Sequence, residues 1–243
     1  MCYNFEVSII SWFSCLLLSF AIFYFSSYLN FIDRLKYVWF GCFILTFTQI
    51  QVIEAIIWAT KSHYINNLAT QMIFYALWCQ PLINMIGLLI NKSNIKNANK
   101  SELLLYRLCV IYYLFIMLYA TFFMDTQYFE STIGTNGHLV WNKCMGRDFC
   151  DYFLSVIDTE IYSINAFIGF TYLFGLIVPP ALSFTLEGYI TTFYTCLSFT
   201  ATKMLYSPEE YASMWCFSAI GYSLTCLSIT YIEFTHLRPI KNL

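Results

Sequence analysis

Seven stretches of about 20 mostly apolar residues divide this chain, and about 20 is the length an α-helix needs to cross the hydrocarbon of a bilayer. They run Val7–Leu29, Tyr37–Thr60, Leu68–Asn91, Leu103–Met124, Glu160–Leu182, Tyr189–Met204 and Ala212–Phe234. Hydrophobic residues make up 59% of the 243 and charged residues 11%, against about 45–50% and 25% in globular domains. With a mean hydropathy of +0.63, the chain has too little charge to clothe a compact soluble particle. The pattern predicts one all-α polytopic domain, a bundle of seven transmembrane helices. Only Pro179-Pro180 and Glu187 separate the fifth and sixth runs, so six helices with one long kinked segment is the alternative count.

The first run is preceded by Glu6 and by no Lys or Arg. It lacks the basic leader of a cleavable signal and is expected to stay as a membrane helix. Basic residues concentrate on cytoplasmic loops. With the N-terminus outside or lumenal and the C-terminus cytoplasmic, eight of the 12 Lys and Arg fall inside, including Arg34, Lys36, Lys92, Lys96 and Lys100. Lys61, Lys143, Arg147 and Lys203 fall outside. Asn91-Lys92-Ser93 and Asn99-Lys100-Ser101 match the N-glycosylation pattern, but this orientation puts both in the cytoplasm. The one substantial loop, from Asp125 to about Ile157, lies outside. In it Gln127–Ile133 and His138–Asn142 flank Gly134-Thr135-Asn136-Gly137, and Asn-Gly is a strong signal for a tight β-hairpin turn. Cys144 and Cys150 follow; an oxidising compartment would let them form a disulfide, and a cytosolic loop would leave them as free thiols.

Polar residues inside the apolar runs are the candidates for function. A charged group at the centre of a membrane helix costs at least about 2.5–3.5 kcal/mol and as a rule faces a bundle interior or a wet cavity. Glu54 is such a group. At about 100° per residue it shares a helix face with Gln51 and Trp58. Asp158, Tyr162 and Asn165 form a second stripe on the fifth run. Gln71 lies on one side of the third, with Gln80 and Asn84 on the other around Pro81. These residues fit a site for a small molecule or ion. The plainer reading is that they tie helices together by interhelical hydrogen bonds, and for Gln80 and Asn84 it is the preferred one. Thr191, Thr195, Ser198 and Thr202, and Ser218, Gly221, Thr225 and Ser228, read as packing seams.

Several chemistries are missing. The seventh run has no lysine for a retinal, and His63, His138 and His236 are the only histidines, too few and too peripheral for a helix-borne zinc site. No His-Glu-x-x-His, Gly-x-Ser-x-Gly or P-loop run occurs. The net charge of −2, with no basic stripe, excludes a nucleic-acid binder. The expectation is a protein without a cofactor, without a metal and without enzymatic activity. Three short motifs, Gln51-Val-Ile-Glu54-Ala-Ile-Ile-Trp58, Gly137-His138-Leu139-Val140-Trp141 and Ser213-Met214-Trp215-Cys216, resemble an uncharacterised seven-helix membrane family of large DNA viruses and some microbial eukaryotes. The resemblance implies a multi-pass membrane location and supplies no activity.

Two functional readings follow. In the first, a transporter, channel or sensor handles a small molecule or ion at a buried carboxylate; short loops and no appended domain suit this better than signalling. In the second, a structural or partner-binding component of a virion or organelle membrane uses its polar residues for packing alone. Both place the protein in a lipid bilayer. The orientation is directly testable: reporter tags are expected to read the N-terminus outside and the C-terminus inside, and glycosylation at Asn91 or Asn99 would overturn it.

Overall fold

The structure is a computed structural model that describes residues 4–93, 100–123, 129–134, 137–144, 164–182, 186–205 and 219–237. It is mostly helical. The helices are α1 (Phe5–Ser26), α2 (Phe31–Ala59), α3 (His63–Ser93), α4 (Lys100–Phe123), α5 (Ile164–Leu182), α6 (Leu186–Leu205) and α7 (Ala219–Leu237). Two short strands, β1 (Phe129–Ile133) and β2 (Leu139–Cys144), lie between α4 and α5 in sequence. By length and composition, the spans Phe5–Ser26, Asp33–Ala59 and His63–Ile90 are apolar enough to cross a membrane.

Helices α1 and α2 start earlier than hydropathy suggests, for local reasons. Asn4 caps α1 by accepting the Val7 N–H at 2.8 Å, and Asn30 caps α2 by accepting the Asp33 N–H at 3.1 Å. Such caps satisfy donors that a helix start leaves unpaired. From Asn30 the helix continues through Asp33, Arg34 and Lys36, which a hydropathy reading assigns to a loop. Arg34 turns back and donates from Nη2 to the carbonyls of Ser27 and Leu29, at 2.9 and 3.2 Å. It thereby satisfies carbonyls at the end of α1, where a cation also complements the helix dipole.

The elements α2 and α3 form the spine. Helix α2 packs on α1, α3 and α7; α3 packs on α2, α4, α5 and β1; α5 packs on α6. Thr192 in α6 donates to the Ile177 carbonyl in α5 at 3.2 Å. Fifteen residues of continuous helix would separate those groups by about 22 Å, so the chain reverses between α5 and α6 instead of running on as one kinked helix.

Helix α1 presents one narrow buried stripe, Ser8, Ser11, Cys15, Ser19, Ile22 and Ser26, with Phe13, Leu17, Phe20 and Tyr24 exposed on its other faces. Small residues at three- and four-residue spacing let backbones approach closely, and Ser19 donates across the contact to the Gly41 carbonyl at 2.9 Å. On α7 the buried face is Ala219, Tyr222, Ser223, Cys226 and Thr230. That is about one residue's rotation from the seam expected there: Gly221 and Thr225 are half-buried, Ser228 is exposed, and Ser218 lies outside the described residues. The hydroxyls of Thr225 and Ser228 bond carbonyls four residues back in their own helix, so a hydroxyl stripe does not by itself mark an interface.

Gly87 of α3 receives the indole of Trp39 from α2, and a Cβ at position 87 would collide with that ring. Gly87→Ala is expected to lower stability by about 1–3 kcal/mol, the usual cost of overpacking. Unfolding by SDS titration of mixed micelles would show it, with a smaller loss in a Trp39→Leu background.

Candidate functional site

Gln51 and Glu54 are one turn apart on α2, and both are shut away from the surface, at 1% and 0% exposure. The neighbouring positions Ile50, Ile53 and Ile57 form an apolar cluster with Ala69 and Ile73 of α3 and Leu139 of β2. Trp58, half-buried, packs against that cluster. Neither Nε2 nor Oε1 of Gln51 makes a hydrogen bond among the described residues, and neither does Trp58 Nε1. A buried amide without partners keeps the full penalty of its desolvation, about 1–3 kcal/mol.

The other candidates divide. Gln71 of α3 is half-buried, and its Nε2 donates to Asn67 Oδ1 at 2.7 Å within the same helix. Asp158, Tyr162 and Cys150 lie outside the described residues. Asn165 belongs to α5 and Cys144 ends β2, but their side chains fall outside the described set, so neither the fifth-helix stripe nor the Cys144–Cys150 pairing has a described geometry. Gln80 and Asn84, read from sequence as packing groups, face α5. The Tyr172 hydroxyl donates to Gln80 Oε1 at 2.7 Å, and Asn84 Nδ2 meets the Leu176 carbonyl at 3.5 Å. No group of His, Cys, Asp and Glu suited to a metal occurs among the described residues.

Sequence reasoning missed how the strands are held. β1 and β2 pair antiparallel, Phe129 with Cys144 and Ile133 with Leu139, and the register shifts by one between Glu130 and Thr132. Trp141 and Asn142 therefore oppose the single residue Ser131, the count of a β-bulge. At the turn the Gly137 N–H bonds the Gly134 carbonyl and the Gly134 N–H bonds the His138 carbonyl, at 3.1 and 2.8 Å. Gly137 has φ +80°, a conformation that glycine adopts without steric cost.

Ser131 faces α3. Its N–H donates to Asn66 Oδ1 and its carbonyl accepts from Asn66 Nδ2, both at 2.9 Å. The Asn66 carboxamide thus pairs with β1 as a neighbouring strand would. Thr70 and Ser131 join their hydroxyls at 2.7 Å, and His63 Nδ1 lies 2.6 Å from Glu130 Oε1. His138, which the sequence places at the start of the hairpin's second flank, is buried at 4% exposure, next to Leu139 in the α2–α3 cluster. The signal was present as a row of polar residues, His63, Asn66 and Thr70, at helical spacing. Pairing it with a strand over 60 residues away needs the fold.

The ribbon therefore sits where α2 meets the start of α3, against the half of α2 that carries Gln51 and Glu54. No family profile, curated protein or solved structure matches the chain. Asn66→Ala is expected to strand both backbone groups of Ser131, at about 1–3 kcal/mol. Hydrogen exchange should then quicken at Ser131 and Thr132 and stay unchanged in the lower half of α3.

Proposed function

We propose that this is a multi-pass membrane protein, a bundle of seven spanning helices with an outer hairpin, that handles a small polar solute or an ion at Glu54 and Gln51. The observation that carries the reading is the burial of both side chains, one turn apart in the interior of an apolar helix, with the Gln51 amide lacking a hydrogen bond among the described residues. A carboxyl and a carboxamide on one face offer donors and acceptors to a polar guest in a region where water is scarce. In this reading the hairpin, latched to α3 through Asn66, Thr70 and His63, covers the outer end of the path to Glu54. The N-terminus is outside and the C-terminus cytoplasmic, from the bias of basic residues.

A second reading keeps its place because of the α3–α5 contact, where Gln80 and Asn84 do bond across helices: a structural membrane component whose polar residues serve packing. Membership of the viral and protist seven-helix family fits either reading.

One pair of substitutions separates them. On the transport reading Glu54→Gln keeps the size and hydrogen bonding of the side chain and folds as wild type. It abolishes carboxylate-dependent proton flux, measured in pyranine-loaded proteoliposomes under a valinomycin-set potential. On the packing reading Glu54→Gln is silent and Glu54→Leu destabilises by about 0.6–2 kcal/mol. Wild-type behaviour of both variants in both assays would sink both readings.

A further inference from the structure

Helices α3 and α5 are both interrupted by proline where they touch. Proline has no N–H, so Pro81 deprives the Leu77 carbonyl of its donor four residues on, and Pro179 and Pro180 do the same to Gly175 and Leu176. Gly175 packs directly on Pro81: a Cβ at 175 would lie 2.7 Å from the proline ring. The freed Leu176 carbonyl is claimed by Asn84 Nδ2, and Gln80 Oε1 is claimed by Tyr172. Each amide has thus spent one of its two polar atoms on α5.

The other two atoms remain. Gln80 Nε2 and Asn84 Oδ1 have no hydrogen-bond partner among the described residues, although both residues are completely buried. They belong to one face, four residues apart, and both amides point to α5 groups that are themselves four residues apart. The stretch of α3 around Pro81 therefore carries one orphaned donor, Gln80 Nε2, one orphaned acceptor, Asn84 Oδ1, and the Leu77 carbonyl, whose helical donor the proline removes. The choice of occupant follows from this set. A cation would suit the two oxygens and be repelled by the amide N–H; an anion would suit only the N–H. A species with two donors and a lone pair satisfies all three, and a buried water typically makes about three such bonds to groups left unsatisfied by the protein.

We propose that a water molecule is bound in the α3–α5 notch, donating to Asn84 Oδ1 and to the Leu77 carbonyl and accepting from Gln80 Nε2. It completes the hydrogen bonding that the prolines broke, as ordered waters do in interrupted membrane helices, and gives the bundle an internal polar site independent of Glu54. Pro81, Gly175 and Tyr172 border the notch.

X-ray radiolysis of the full chain in lipid nanodiscs tests this, because hydroxyl radicals made from a bound water label the side chains beside it. Tyr172, half-buried, is expected to be labelled between the buried Tyr37 and the exposed Tyr64, and the share owed to the bound water is read from the variants. In Gln80→Leu and Asn84→Leu proteins, labelling of Tyr172 should fall toward that of Tyr37 while Tyr64 is unchanged. Wild-type labelling of Tyr172 no higher than Tyr37, or labelling insensitive to both substitutions, overturns the proposal. Should the variants not fold, electron cryomicroscopy of the wild-type chain decides. Density within hydrogen-bond distance of both amide atoms supports the site; amides bonded to protein groups with no such density overturn it.

Discussion

Rings seated against glycines set the distances between these helices. Gly41 of α2 takes Phe23 of α1, Gly87 of α3 takes Trp39 of α2, Gly175 of α5 takes Pro81 of α3, and Gly221 of α7 takes Tyr194 of α6. In each pair one helix gives up a side chain and its neighbour fills the space with a rigid ring. Between helices in lipid there is little hydrophobic gain on association, because acyl chains are as apolar as leucine, and van der Waals packing decides which faces meet. A ring in a glycine notch supplies that contact at little cost in rotamer entropy. Close approach then brings backbone within reach of side chains across the interface, and the Ser19 bond to the Gly41 carbonyl depends on it.

Proline sets the second pattern. At the α3–α5 contact the carbonyl freed by Pro180 is met by Asn84, and Tyr106 of α4 donates to the Pro179 carbonyl at 3.0 Å. Two neighbouring helices thus donate to backbone carbonyls of the proline-containing stretch of α5. Proline inside α5 acts here as a means of joining three helices through backbone acceptors, and the side chains that answer it are polar residues in otherwise apolar sequence.

What the sequence disclosed follows from which forces are local. The apolar runs were legible because desolvation is additive along the chain, and α1, α2 and α3 satisfy the length and composition of membrane spans. Their starts were less so: Asn30 caps a helix that carries three charged residues before its apolar part, and a hydropathy window discards those turns. The burial of Gln51 and Glu54 was readable from the cost of a carboxyl in lipid. The rotation of α7 was not, since Ser228 and Thr225 satisfy their hydroxyls on their own backbone and look the same in sequence whether they face protein or not. The docking of Ser131 on Asn66 was hidden for a different reason. It is a long-range pairing between a helix side chain and a strand backbone: the polar row His63, Asn66 and Thr70 is periodic, but nothing in it specifies the strand it meets.

The buried amides separate by the partners they reach. Asn84, Gln80 and Gln51 are alike in chemistry and in burial, at 0%, 0% and 1% exposure, and differ in what they bond. Asn84 and Gln80 each reach a group on the neighbouring helix, which accounts for their presence as interhelical ties. Gln51 reaches none among the described residues. A leucine at position 51 would pack in nearly the same volume without the penalty of about 1–3 kcal/mol that an unbonded amide carries, and no contact among the described residues accounts for a glutamine there. It lies one turn from Glu54, on the half of α2 whose isoleucines pack against Leu139 of a strand pair fixed to α3 by an amide bridge, and the proposed function rests on these two side chains.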